Sequence, residues 1–343
     1  MRAAVIQDDH TVKIQDVDRP VPGPNDVLMR ALVWGLNPTD WKHAAWISPA
    51  GSRAGCDAVG IIEEVGSNVS RNIKGQRRAM FMMGNRSPHN GAFAEYFTQE
   101  EAMTWQVPEK MTSEQAATMP IPFFTAYQVL FQRMGLPEPL SNPPASDKWV
   151  LVYSGASSVG QYAIQLAKRS GFKVITTASP HRESRLKSVG ADVVIDYKSD
   201  DLPQKLKDAT GDGIEKAFDC FSEGLSVKTC HDALSSSNGG EVVCILPFDD
   251  QLVTRTDVKI SFTVIGTYIT NQPGQLMGAD FKPAGPNDRA DAERIFKTVP
   301  QYIVDRGFTF LDTYELHGID KIPEGLELLR DGKVHGQKIV VMA

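Results

Sequence analysis

The rhythm of apolar and polar positions changes once along the chain. Up to about residue 140, short apolar runs such as Val27-Leu28-Met29-Arg30-Ala31-Leu32-Val33 and Gly60-Ile61-Ile62-Glu63-Glu64-Val65 lie between turn signals such as Pro22-Gly23-Pro24-Asn25-Asp26. Runs of that length bounded by Gly and Pro predict strands, so this part reads as β-rich. A polar, Pro-containing connector follows at 141–147. Beyond it, continuous apolar runs at 149–153, 172–177, 193–195, 216–220 and 241–246 predict buried strands. Between them, 159–170, 181–189, 202–210 and 225–234 predict helices, the first with Val159, Ala163, Ile164, Leu166 and Ala167 as its apolar positions. Strand and helix in alternation predict a parallel sheet with helices on both faces. A loop-rich stretch is expected over 273–287, a helix over 290–305, and strand–helix–strand from 308 to 341. There is no internal repeat.

Composition narrows the class. The chain has 343 residues, 41% of them hydrophobic and 23% charged, enough for about two domains with a core that needs no disulfide or metal staple. The net charge of −6, with no basic cluster, argues against a general nucleic-acid binder. No apolar run reaches the roughly 18 residues of a membrane span, and the first ten residues are too acidic for a signal peptide. Cys56, Cys220, Cys230 and Cys244 form no Cys-x-x-Cys pair. They read as reduced, packed thiols, which favours a reducing, cytoplasmic setting.

The strand ending at Tyr153 runs into Ser154-Gly155-Ala156-Ser157-Ser158-Val159-Gly160, where a helix opens. A strand, a small-residue turn and a helix N-terminus make an anion site, because unpaired N–H groups and the helix dipole both favour negative charge. Gly155 lets the chain turn and Gly160 lets helix and strand approach. Ser157 stands where a dinucleotide fingerprint has its middle glycine. Gly155, Ala156, Ser157, Ser158 and Val159 are the expected pyrophosphate contacts. After the second strand, Thr177-Ala178-Ser179-Pro180-His181-Arg182 carries no acid to accept from a ribose 2′-hydroxyl. Ser179, Pro180, His181 and Arg182 suit a 2′-phosphate instead, with Arg185 one turn on, which points to NADPH. Tyr197 is a candidate to stack on adenine; as a surface tyrosine at a strand end it would have no such role.

Several stretches together resemble the medium-chain dehydrogenase/reductase superfamily: Gly35-Leu36-Asn37-Pro38-Thr39-Asp40-Trp41-Lys42, Gly55-Cys56-Asp57-Ala58-Val59-Gly60, Gly91-Ala92-Phe93-Ala94-Glu95-Tyr96, Thr125-Ala126-Tyr127-Gln128-Val129-Leu130 and the Gly155–Gly160 turn. The resemblance spans essentially the whole chain. It implies an α/β Rossmann domain, a doubly wound parallel sheet, joined to a GroES-like β-rich catalytic domain. The implied boundaries are 1–122 for the GroES-like domain, 123–275 for the Rossmann NADP-binding domain, and 276–343 for a return segment that completes the catalytic domain. Zinc alcohol dehydrogenases of the superfamily have a cysteine and a histidine ligand where this chain has Asn37 and Cys56, and the four-cysteine structural-zinc lobe is missing. A lone Cys56 cannot supply a catalytic zinc site, so no metal is expected.

Within the zinc-independent branch, Asn37–Lys42, Gly55-Cys56-Asp57 and Ala178-Ser179-Pro180-His181 resemble the fungal stand-alone enoyl reductases. Arg182 departs from the small polar residue expected there. This likeness implies NADPH-dependent reduction of an enoyl thioester presented by the carrier domain of a partner polyketide synthase, with no nucleic-acid or membrane partner. Two other readings stay open: an NADPH quinone oxidoreductase acting on free small molecules, and a non-catalytic NADPH-binding module.

Enoyl reduction must meet negative charge growing on the thioester oxygen and deliver a proton to the α-carbon. Lys42 is the candidate electrophile or proton donor, and Thr125, expected to open a helix, the second candidate. Thr39, Asp40 and Trp41 are expected to shape the nicotinamide side. Ile245 and Leu246, ending the fifth strand, should border the nicotinamide. The run 262–268 is expected to be a strand whose Val264, Ile265, Gly266, Thr267 and Tyr268 wall an acyl pocket. Val334 and His335, in the segment 332–338, are expected to close over the cofactor.

Overall fold

Runs of buried residues along the early strands build the β-rich part around one large sheet beside the antiparallel pair Arg2–Ile6 and Val12–Asp16, and the chain's end returns to the large sheet. In the computed structural model, which describes residues 1–343, the chain forms two units: Met1–Ile121 with Arg289–Ala343, and Pro122–Asp288. The first unit holds a seven-stranded sheet in the order Asp312–His317, Gln337–Met342, Asp26–Gly35, Asp57–Val65, Arg77–Phe81 and Thr104–Gln106, with Tyr96–Glu100 also paired to Asp26–Gly35. The C-terminal strand lies antiparallel to the third strand of the chain, with Val341 opposite Trp34. Its core joins residues far apart in sequence: Ile6, Trp34, Ala58, Phe93, Ile322, Ile339 and Val341 are all buried. Two helices carry this unit's chemistry and its packing. Pro38–Trp46 begins with Pro at its first turn, a position where proline costs no hydrogen bond. Ile322–Arg330 buries Ile322 and Leu326.

The second unit is a six-stranded sheet in the order Val193–Ile195, Lys173–Thr177, Trp149–Tyr153, Ile214–Asp219, Gly240–Cys244 and Val258–Phe262, with every pairing parallel. Numbered along the unit this is the 3-2-1-4-5-6 order of a dinucleotide-binding sheet. The helices Ser158–Arg169, Glu183–Ser188, Leu202–Thr210 and Ser226–Ala233 connect successive strands. Leu151, Ile175, Leu206, Ala217, Val227 and Val242 are buried in its core.

Three local expectations change. The run 262–268 is not one strand. The sixth strand ends at Phe262, and the N–H groups of Thr267 and Tyr268 donate to the carbonyls of Val264 and Ile265 at 3.1 and 3.0 Å, which turns the chain into the short helix Thr267–Thr270. Residues 308–311 are not a strand either. Phe308 and Leu311 are buried anchors, and pairing starts at Asp312. Residues 276–288 go with the second unit rather than the return segment. Asp288 explains this: its carboxylate accepts the N–H groups of Ala284 and Gly285 at 2.8 and 2.7 Å and the Nε2 of Gln128 at 3.3 Å.

Candidate active site

In the second unit, the turn after Trp149–Tyr153 is built by its own small residues. Ser154 takes a positive φ of 62°, and its N–H donates to Thr177 Oγ1 at 2.9 Å. A Cβ on Gly155 would stand 2.0 Å from Thr176 Oγ1, and one on Gly160 would stand 2.4 Å from the Ser154 carbonyl. Neither position has room for a side chain. Ser157 caps the helix Ser158–Arg169: its Oγ accepts the Gly160 N–H at 3.0 Å and donates to the Ser154 carbonyl at 2.8 Å. The serine at the middle-glycine position therefore folds back onto the turn. Ala156, Ser157, Ser158 and Val159 are half-buried, at a helix start whose first N–H groups have no intrahelical partner. This cradle fits the pyrophosphate of a dinucleotide.

The carboxyl ends of the neighbouring strands complete that edge. Ala178 N–H donates to the Ile195 carbonyl at 3.0 Å, which draws together the segments that carry Ser179 and Tyr197. Ser179 precedes a single turn, Pro180–Arg182; His181 is exposed and Arg182 half-buried. The first acid beyond it, Glu183, is paired with Lys187 at 2.7 Å. Tyr197 is 44% exposed, so its ring is open to a ligand. The fifth strand stops at Cys244, one residue short of Ile245. Ile245 N–H donates to Ser222 Oγ at 2.9 Å, so it and Leu246 follow the strand as half-buried loop residues. Sequence reasoning missed the support for that loop. Asp219, buried, accepts the N–H groups of Phe221 and Ser222 at 2.9 Å each and the Ser226 hydroxyl at 2.6 Å.

Thr125 does not open its helix. It is the sixth residue of Pro120–Tyr127 and 6% exposed, so a capping role is excluded. Thr267 is committed elsewhere: its hydroxyl donates to Asp288 and accepts from Gln128 Nε2 at 3.0 Å. Thr267 and Tyr268 are fully buried and Gly266 is buried; Val264 and Ile265 stay half-buried.

In the first unit, the helix Pro38–Trp46 presents its predicted residues on different sides. Asp40 turns inward: it is fully buried and accepts the Asn37 N–H at 2.8 Å. Thr39 Oγ1 hydrogen-bonds His43 Nε2 at 3.0 Å. Trp41 and Trp46 meet edge to face at 5.6 Å, and the Lys42 ammonium lies 5.7 Å from the centroid of each ring. Cation–π attraction thus holds a half-exposed Lys42 against two indoles.

Beneath this helix lies a residue the sequence reading did not single out. Lys338 is 2% exposed; its ammonium bonds Asn37 Oδ1 and stands 3.3 Å from Asp57 Oδ2. Asp57 also accepts Asn37 Nδ2 at 2.8 Å and the Ile121 N–H at 3.2 Å. Cys56 and Asp40 share the pocket. Burial, then the charge of Asp57, pushes the Asp40 carboxyl up to about 7. Burial also pushes up the Cys56 thiol and the Asp57 carboxyl, and pushes Lys338 down. Asn37 and Cys56, which the resemblance sets against zinc ligands, therefore sit in a cluster already supplied with a lysine. Val334 packs half-buried against this unit's core, while His335 is exposed.

Residues 23–109 match the family described as alcohol dehydrogenase GroES-like domain, and residues 158–274 the family described as zinc-binding dehydrogenase. The trans-enoyl reductase TOXD of Cochliobolus carbonum is 35% identical over 79% of this chain and 92% of its own. The trans-enoyl reductase opdC of Penicillium oxalicum is 32% identical over 95% and 93%. The chain belongs to the medium-chain dehydrogenase/reductase superfamily. It is an oxidoreductase with a GroES-like and a Rossmann domain, and the family's nicotinamide cofactor fits the turn at Gly155–Val159. Among solved structures, a quinone oxidoreductase of Pseudomonas syringae superposes with a TM-score of 0.76, at 21% identity and covering 100% of this chain and 99% of that one, a likeness of fold.

Proposed function

We propose that this protein reduces the α,β-double bond of an enoyl thioester with NADPH, acting in trans on a chain carried by a polyketide synthase. The observation that carries the reading is the buried Lys338–Asn37–Asp57 cluster at the positions where zinc-dependent relatives hold their metal. With an ammonium seated there, alcohol chemistry that relies on a Lewis acid has no support. Similarity to trans-enoyl reductases along most of the chain agrees with this.

The pyrophosphate belongs at Gly155, Ala156, Ser157, Ser158 and Val159, the 2′-phosphate at Ser179, His181 and Arg182, and adenine on Tyr197. Bound there, the reduced nicotinamide supplies a hydride. In the substrate, the β-carbon gains that hydride, the C=C π pair moves towards the thioester oxygen, and the α-carbon gains a proton. Lys42 is the donor that meets the growing negative charge, and Thr125 orients substrate or ribose.

The test is NADPH oxidation with an enoyl-pantetheine, the same acyl chain on a carrier domain, and a quinone, run in parallel. Turnover is expected on both thioesters, faster with the carrier, because remote binding energy is used in the transition state. Fast quinone reduction with both thioesters untouched would replace this reading with that of a quinone reductase. NADPH binding with no turnover at all would make the protein a binding module.

A further inference from the structure

Asp57 opens the strand Asp57–Val65 and is fully buried, and its carboxylate gathers donors from three segments distant in sequence. Oδ2 accepts Asn37 Nδ2 at 2.8 Å and stands 3.3 Å from the Lys338 ammonium. The Ile121 N–H lies 3.2 Å from Oδ1 and 3.3 Å from Oδ2. Two acceptor oxygens can serve three such donors, whereas an amide would offer one oxygen and two N–H groups with nothing to accept them. Lys338 supplies the counter-charge that a buried carboxylate needs.

Of these partners, Asn37 leads to chemistry. Its N–H donates to Asp40 at 2.8 Å, its Oδ1 accepts from Lys338 and its Nδ2 donates to Asp57. Gly35, two residues earlier, lies opposite Asp57 in the sheet. A Cβ on Gly35 would stand 3.3 Å from the Asp57 Cβ and 2.3 Å from the Ala117 carbonyl. The chain is therefore pinned to Asp57 where the strand Asp26–Gly35 ends and the helix Pro38–Trp46 begins. That helix has nine residues, and isolated helices shorter than about 12–15 residues are marginal, so its placement comes from such ties. Its hydrogen-bonded turns carry a shift at Asn37 on to Lys42, one turn further along. Asp57, sealed from solvent, can act on a substrate only through another residue.

We infer that Asp57 is a positioning residue for Lys42: by fixing Asn37 it fixes the start of the helix Pro38–Trp46 and, with it, the place where the Lys42 ammonium meets the charge growing on the thioester oxygen. This rests on the reading of Lys42 as the donor in enoyl-thioester reduction.

The experiment is a double-mutant cycle on the full chain, with NADPH-dependent reduction of an enoyl-pantetheine as the reaction. Rates are taken per NADPH-binding site, so that unfolded chain does not count. Asp57→Asn should lower kcat about tenfold and move KM less than about twofold, because a misplaced donor is missed in the transition state and not in the ground state. In a Lys42→Ala background the same substitution should cost less than about twofold, since no ammonium is left to misplace. Asn37→Ser keeps a residue that starts helices well and removes the amide that reaches Asp57, so it should show the same two effects. It carries the test if Asp57→Asn does not fold. Equal losses in both backgrounds would mean that Asp57 serves the fold alone, and would overturn the proposal. An unchanged kcat in both Asp57→Asn and Asn37→Ser overturns it as well. If Lys42→Ala is as fast as wild type, or wild type leaves enoyl thioesters untouched, the donor reading falls and takes the proposal with it. If Lys42→Ala is slow and the losses multiply, the donor stands and only the role of Asp57 is lost.

Discussion

Lys42 and Lys338 are both lysines of the first unit, and burial separates what each can do. Lys42 is half-exposed over two indoles and can meet a charge that develops in a substrate. Lys42→Ala should lower single-turnover reduction of an enoyl-pantetheine by roughly 100-fold or more while NADPH still binds. A variant as fast as wild type would remove Lys42 as donor. Lys338 is sealed against Asp57 and Asn37. Lys338→Met leaves Asp57 buried and uncompensated, so urea denaturation should show a loss of about 3–5 kcal/mol. Asp40 supplies a pH signature. Its folded-state value is raised from 3.8 to about 7, so between those limits unfolding releases a proton that the native state keeps. Its contribution to stability is full below 3.8 and is lost as pH rises through about 7. Asp40→Asn, which keeps an acceptor for the Asn37 N–H, should gain in melting temperature relative to wild type as pH rises across that window. A difference independent of pH would mean that Asp40 is ionised in the native state.

At the scale of one element, the turn between the strand Trp149–Tyr153 and its helix is held by short-range geometry. Gly160 has the Ser154 carbonyl where a Cβ would go, so Gly160→Ala must push the helix N-terminus off the turn. Both the melting temperature and NADPH affinity should fall, as read by thermal melts and fluorescence titration. Ser157→Ala removes a cap but inserts no bulk. Its expected cost is about 1 kcal/mol, with a smaller effect on NADPH. If the two variants bind NADPH as wild type does, the cofactor does not use this helix start. The helix Pro38–Trp46 adds a long-range dependence: Asp40 closes its N-terminus locally, and residues distant in sequence hold it too, through Asn37 to Asp57 and Lys338.

At the scale of the whole molecule, cofactor choice is read as stability. A ligand that binds only the folded state raises stability by RT ln(1 + [L]/Kd). With Ser179, His181 and Arg182 at the end of the second strand and no unpaired acid there, NADPH should bind at least about tenfold tighter than NADH. At equal saturating concentrations, NADPH should then add about 1.4 kcal/mol more stability. The measurement is a pair of thermal melts with the two cofactors, repeated on Arg182→Ala, where the gap should narrow. Equal shifts in wild type would show that this loop does not read the 2′-phosphate.

Whatever depends on neighbours along the chain was legible in the order of residues. The strand and helix rhythm from 149 to 246 specified the parallel sheet, because buried strands and amphipathic helices carry their periods locally. Gly155 and Gly160 announced the tight turn, because only a residue without Cβ fits there. Asn37 leaves Cys56 as a lone thiol at the positions that the resemblance gives to zinc ligands, an argument against zinc that rests on too few donors. Tertiary structure decided which polar side chains face inward. Lys338, 301 residues from Asn37, looked like part of a segment closing over a cofactor, and strand pairing across the sheet buried it against Asp57. Asp40 read as a nicotinamide-side residue and became a buried helix partner. Thr125 read as a helix start and lies inside the helix, and Thr267 read as a pocket wall and is spent on Asp288. Apolar period and backbone sterics act over a few residues and can be read in order. The fate of a hydroxyl, carboxylate or ammonium depends on which distant group can satisfy it once water has left, and only the folded chain brings those groups together.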